Sequence, residues 1–139
     1  RARRLAWSGA AMAGGIAALI GLVVAIWPDL WLGLFTTDPR ALASGRHYLG
    51  IVGPVYGFFG VAMALYFASQ GTGDMLWPVG ANLCRIVIAG GGSLLALDRF
   101  GWGPSGIYAC VALGIVAFAG VLGFSTTRPA WTGARRKAA

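Results

Sequence analysis

Long stretches of this 139-residue chain carry no charged side chain. None occurs from Leu5 to Pro28, from Tyr48 to Gly73 or from Phe100 to Thr127, and Met75 to Leu97 holds only Arg85. A helix needs about 20 mostly apolar residues to cross a bilayer, and each stretch is long enough. The pattern predicts spans at about 5–27, 48–69, 77–97 and 104–124. In lipid every backbone group must be satisfied within its own segment, which selects helices. The alternating segments of a membrane β-barrel are absent from the sequence. The chain is therefore read as an all-α integral membrane protein with four transmembrane helices. Its composition, 58% apolar and 11% charged, excludes a soluble globular domain, where roughly 25% charge is usual. It equally excludes a disordered tail and a coiled coil.

A net charge of +7 invites a nucleic-acid reading, which the positions of the charges remove. Arg1, Arg3 and Arg4 precede the first span, and Arg128, Arg135, Arg136 and Lys137 follow the fourth. An even number of spans puts these seven on one side, against Arg40, Arg46 and Arg99 on the other. The positive-inside rule then places both termini in the cytoplasm. Residues 125–139 form a basic cytoplasmic tail touching anionic lipid, on a multi-pass protein of the plasma (inner) membrane. Expected partners are membrane lipids, with no nucleic acid. The first span is flanked by Arg and lacks a small-residue cleavage site, so it is not a signal peptide. With no initiator Met, the chain is expected to be a piece of something longer, completed by missing N-terminal helices.

Glycine occurs 23 times, far above the roughly 7% of average usage. In membranes small residues let helices approach closely. Ala10, Gly14, Ala18, Gly21 and Ala25 share one face of the first span. Gly106, Cys110, Gly114, Ala117 and Gly120 share one face of the fourth. The second span has a small stripe (Gly50, Gly53, Gly57, Gly60, Ala64, Ala68) and a purely apolar face (Ile51, Phe58, Ala62, Leu65). A third stripe holds Tyr48, Val52, Tyr56, Phe59, Met63, Tyr66 and Gln70. This predicts three environments, namely protein, lipid and a cavity. Aromatic rings with polar tips beside a flexible thioether suit varied lipophilic ligands, so Tyr56, Phe59, Met63 and Tyr66 are the candidate binding face. Pro54 removes a backbone hydrogen bond within this span and is expected to kink it.

Arg85 sits well inside the third span, where an ionisable group is costly and faces the bundle interior. Its expected partner is a backbone carbonyl, Asn82, a lipid headgroup or a part of the protein outside this chain. Asn82, Arg85 and Pro54 are thus read as structural, buried groups. The Gly90-Gly91-Gly92 run weakens the same helix. Asp38 is a candidate N-cap with Pro39 as the first helical residue, opening a short interfacial helix at 39–47. The Gly71 and Gly73 pair fits a tight turn between spans two and three. Cys84 and Cys110 lie at different depths and are not expected to bridge. One His, four Asp and no Glu leave no multi-His metal site, no paired carboxylates and no nucleophile–base pair, so the chain is not expected to be an enzyme or to hold a cofactor.

An ordered series of motifs carries a further reading. Trp27-Pro28, Leu34-Phe35-Thr36-Thr37-Asp38-Pro39, Tyr48-Leu49, Pro54, Gln70-Gly71-Thr72-Gly73-Asp74, Pro78 and Arg85 follow one another. The chain begins Arg1-Ala2-Arg3-Arg4-Leu5-Ala6. This series resembles the C-terminal part, about helices nine to twelve, of the multidrug and toxic compound extrusion (MATE) family. The resemblance implies part of a twelve-helix, two-bundle transporter working by alternating access, with H⁺ or Na⁺ exchanged for lipophilic or cationic small molecules. It also implies that the second span lines a central cavity. No Asp or Glu lies between Tyr48 and Gly73, so the coupling ion's site is expected outside this chain. A lipid-linked oligosaccharide flippase of the same superfamily, or a stand-alone four-helix structural membrane protein, are the alternative readings.

Overall fold

The computed structural model describes residues 2–73, 75–128 and 131. Arg1, Asp74 and most of the expected basic tail, including Arg135, Arg136 and Lys137, lie outside the described residues. All regular structure among the described residues is helical. Four helical stretches are long and apolar enough to cross a membrane: Ala2–Ile26, Pro39–Thr72, Leu76–Asp98 and Gly103–Ser125.

Helix α1 (Ala2–Ile26) stops where Pro28 restricts the preceding residue, and Trp27 leaves the helical region. A short helix α2 (Pro28–Leu32) follows. Asp38 then accepts a hydrogen bond from the backbone N–H of Arg40 at 3.1 Å and caps α3 (Pro39–Val52), with Pro39 at its first position. The structure draws no boundary between an interfacial helix at 39–47 and a span starting at 48. One helix runs through both, because nothing from Pro39 to Val52 breaks the backbone ladder. The break comes at Gly53–Val55, a single 3-10 turn around Pro54, and the axis resumes as α4 (Tyr56–Thr72). Helix α4 ends on Gly73 in the left-handed region (φ +75°), the conformation glycine adopts without a Cβ clash. Helix α5 (Leu76–Ile86) passes into a π-helical stretch at Val87–Gly91 and continues as α6 (Gly92–Asp98). Helix α7 (Gly103–Ser125) is unbroken.

The helices pack in a row: α1 on α3–α4, these on α7, and α7 on α5–α6. The seam between α1 and α3–α4 is made of small residues. Gly14 meets Gly57 and Val61, while Gly21 and Ala25 meet Gly53. A Cβ at Gly60 would lie 2.7 Å from the carbonyl oxygen of Ala13 and 2.7 Å from Ala17 Cβ. On the other side Gly92 approaches Cys110, Gly106 meets Ala96, and Gly114 lies against Arg85 and Ala89. The small faces expected on the first and fourth spans are therefore helix contacts, except that a Cβ at Gly120 would meet nothing within 4 Å. Cys84 and Cys110 are unbridged.

The core gathers Ala10, Ala62, Leu65, Ala81, Phe118, Ala119 and Leu122. Ala62 and Leu65 belong to the purely apolar face of the second span, and both are fully buried rather than turned to lipid. The 3-10 turn, at 3.0 residues per turn against 3.6, shifts the residues before it by about 60° against those after it, but Ala62 and Leu65 both follow it, as does exposed Phe58 of the same face. They are buried because Ala10 of α1 and Phe118 and Leu122 of α7 pack on α4 at their level. Large apolar residues such as Leu5, Met12, Ile16, Leu19, Leu83, Val87 and Leu94 are exposed instead, as a lipid-facing surface requires.

All six tryptophans sit at the two ends of the bundle. At one end Trp7 donates to Thr126 Oγ1 at 3.2 Å, and the Arg128 guanidinium lies 4.5 Å from the ring centre of Trp77. At the other, Arg46 pairs with Asp29 at 2.5 Å in the open, and His47 lies 3.2 Å from Ser105 Oγ. Aromatic girdles of this kind sit at the headgroup level of a bilayer.

Candidate functional site: two cavities around the Tyr56 and Phe59 wall

Helices α4 and α5 both pack on α7 rather than on each other. The space left between them is a cavity of about 270 Å³, lined by Tyr48, Tyr56, Phe59, Arg85, Ala89, Val111 and Ile115. A second, wider groove of about 460 Å³ lies on the opposite side of α4, against α1. Its walls are Ala13, Ala17 and Ile20 of α1 with Tyr56, Phe59, Gly60, Met63, Ala64 and Phe67 of α4, and none of these is charged.

Tyr56 and Phe59 line both spaces. Their rings are tilted with centres 6.0 Å apart, so together they form a partition between the two. Met63 faces the apolar groove alone of the two spaces. Tyr66 lines neither. Its ring packs toward Phe118, with centres 6.5 Å apart, and against the core. The structure thus brings together three of the four residues expected on the binding face and puts Tyr66 in a packing role. The lost phase at Gly53–Val55 does not account for this, since all four follow the turn. Tyr66 lies one turn below Met63, where α7 already covers α4.

Arg85 is half-buried, and its head projects between α4 and α7. Its guanidinium carbon lies 5.8 Å from the ring centre of Phe59 and 5.6 Å from that of Phe118. Buried Gly114 makes room for it, because a Cβ there would come within 3.2 Å of the Arg85 carbonyl oxygen and 3.5 Å of its Cγ. Asn82 and Pro54 are both exposed, which corrects the expectation that they are buried. The buried face of α5 is centred on Pro78 and Ala81, and Asn82 lies about 100° round the helix from Ala81. Pro54 lies next to Gly53, which takes the contact with α1, and so turns outward beside Gly57 and Phe58.

The opposite walls of both spaces escaped the sequence reading. Ala13, Ala17 and Ile20 are ordinary apolar residues of α1, and Val111 and Ile115 of α7 carry no polar mark. Only the packing order of the helices identifies them.

The comparison with protein families agrees with a membrane-spanning architecture. The MatE family model matches residues 1–90, about two thirds of the chain. This chain belongs to the MatE family. The MatE proteins are membrane transporters rather than enzymes, and the four apolar helices make this member a multi-pass membrane protein. No curated protein and no solved structure matches the chain. The matched segment takes in α1 to α5 and most of the π-helical stretch, so it includes the Tyr56 and Phe59 wall and Arg85 but not α7.

Proposed function

We propose that this MatE chain serves secondary active efflux of lipophilic or cationic compounds by alternating access, coupled to H⁺ or Na⁺ antiport. It acts with helices outside this chain, which hold the coupling-ion site. The observation that carries the reading is the partition of Tyr56 and Phe59, with Met63 beside it, exposed to an uncharged groove large enough for a small molecule. Flat rings and a thioether adapt to varied apolar shapes without demanding one hydrogen-bond pattern. The charge distribution supports a plasma (inner) membrane protein with both termini in the cytoplasm.

The test is export from cells producing the complete gene product with Tyr56→Ala or Met63→Ala. Loss of one such contact weakens ligand binding by about 0.7–1.4 kcal/mol, roughly threefold to tenfold. Export of at least one lipophilic dye should fall by that factor at unchanged protein level. Unchanged export of every compound tried would remove the groove from the transport path.

A further inference from the structure

We propose that the cavity between α4 and α5 is an oxyanion subsite, which takes the carboxylate of an apolar, aromatic molecule on Arg85. The inference deepens the transport reading and rests on its assignment of the Tyr56 and Phe59 wall to a ligand.

Four observations lead to it. Arg85 is a cation, yet it lines a cavity with no acidic residue, walled by Tyr48, Tyr56, Phe59, Ala89, Val111 and Ile115. Within the chain its head meets the faces of Phe59 and Phe118. The only ion pair among the described residues, Arg46 with Asp29, lies at the end of the bundle away from Trp7 and Arg128. Ring faces attract a cation, but they offer no oxygen to the forked N–H donors of a guanidinium. Tyr48 and Tyr56 line the same cavity, and a phenol can donate to a carboxylate as well. A volume of about 270 Å³ stands at the lower edge of ligand pockets, roughly 300 Å³ and upward, which suits a fused-ring body.

The chemistry therefore favours a bidentate guanidinium–carboxylate pair, with the aromatic body held against the apolar lining of the same cavity. A cationic ligand would meet Arg85 as a like charge, so this space selects against the charge sign that the apolar groove tolerates. Carboxylates of small molecules and phosphates of lipid headgroups are both oxyanions on apolar bodies.

The test is equilibrium binding of radiolabelled naphthoate to the complete gene product in nanodiscs, with naphthylmethylammonium and naphthamide as competitors. Wild-type protein should bind naphthoate and be displaced poorly by the ammonium analogue. Arg85→Gln should weaken binding roughly 10- to 100-fold, as expected for a lost charge-assisted hydrogen bond, and Arg85→Lys should recover part of it. If Arg85→Gln does not fold, the Tyr48→Phe and Tyr56→Phe pair carries the test, with a loss of roughly tenfold expected. Absence of wild-type binding, or naphthoate binding indifferent to all these variants, would overturn the subsite. Naphthoate displaced by phosphatidylglycerol in the disc would assign the site to lipid and overturn the small-molecule reading. Met63→Ala separates the two proposals: it should lower dye export and leave naphthoate binding unchanged.

Discussion

Gly60 and Gly50 stand in one stripe of the sequence but in different surroundings. A side chain at Gly60 would run into the backbone of Ala13, whereas one at Gly50 would meet nothing within 4 Å. Backbone cannot step aside as a flexible side chain can. Gly60→Val should therefore lower stability by about 1–3 kcal/mol, as overpacking does. Gly50→Ala should stay within about 0.5 kcal/mol of wild type. Thermal unfolding of the two variants in one detergent checks the contrast. The same scale shows what sequence reading can deliver. Arg85 was legible because a lone charge in an apolar stretch has few places to go. The outward turn of Asn82 was not, since one position of error rotates a side chain by about 100°, and the centre of a helix face depends on what packs against it.

Helix termini were legible because their causes are local. The cap of Asp38 on α3, the proline following it and the left-handed Gly73 closing α4 each involve residues within four positions. Asp38→Ala removes the acceptor for the Arg40 N–H and should cost about 1 kcal/mol. Hydrogen exchange of the Arg40–Leu42 amides should speed up accordingly, with the amides of α7 unchanged. Interruptions within a span were only half legible. Pro54 and Gly90–Gly92 marked where α3–α4 and α5–α6 would be perturbed, but not the form taken. The 3-10 turn tightens one axis and the π-helical stretch loosens the other. Neither change decides the burial of Ala62 and Leu65, which follow the 3-10 turn and lie where Ala10 and α7 pack on α4.

In the whole molecule, the order of helices in space is what one sequence does not contain. Small faces were visible on three spans, yet their pairing had to come from the structure, and with it the far walls of both cavities. Helix α1 is tied to the C-terminal end of α7 through Trp7 and Thr126. Trp7→Phe and Thr126→Val should each destabilise the bundle. A double-mutant cycle should give a coupling of about 0.5–1.5 kcal/mol, measured by denaturation in detergent. Additive effects would show that the pair does not tie α1 to α7.

The glycine seam has a mechanical consequence. Where α1 crosses α3–α4, backbone lies within reach of backbone at Gly14, Gly21, Gly53 and Gly60, with no flexible side chain between to absorb a sliding motion. Close-packed interfaces of this kind shift between discrete arrangements rather than deform continuously. The α1–α4 pair therefore behaves as a fixed spar. Any movement that reshapes the Arg85 cavity falls to the opposite seam, where the π-helical stretch and three successive glycines leave α5–α6 the softer element beside α7. The cavity has one still wall and one that yields.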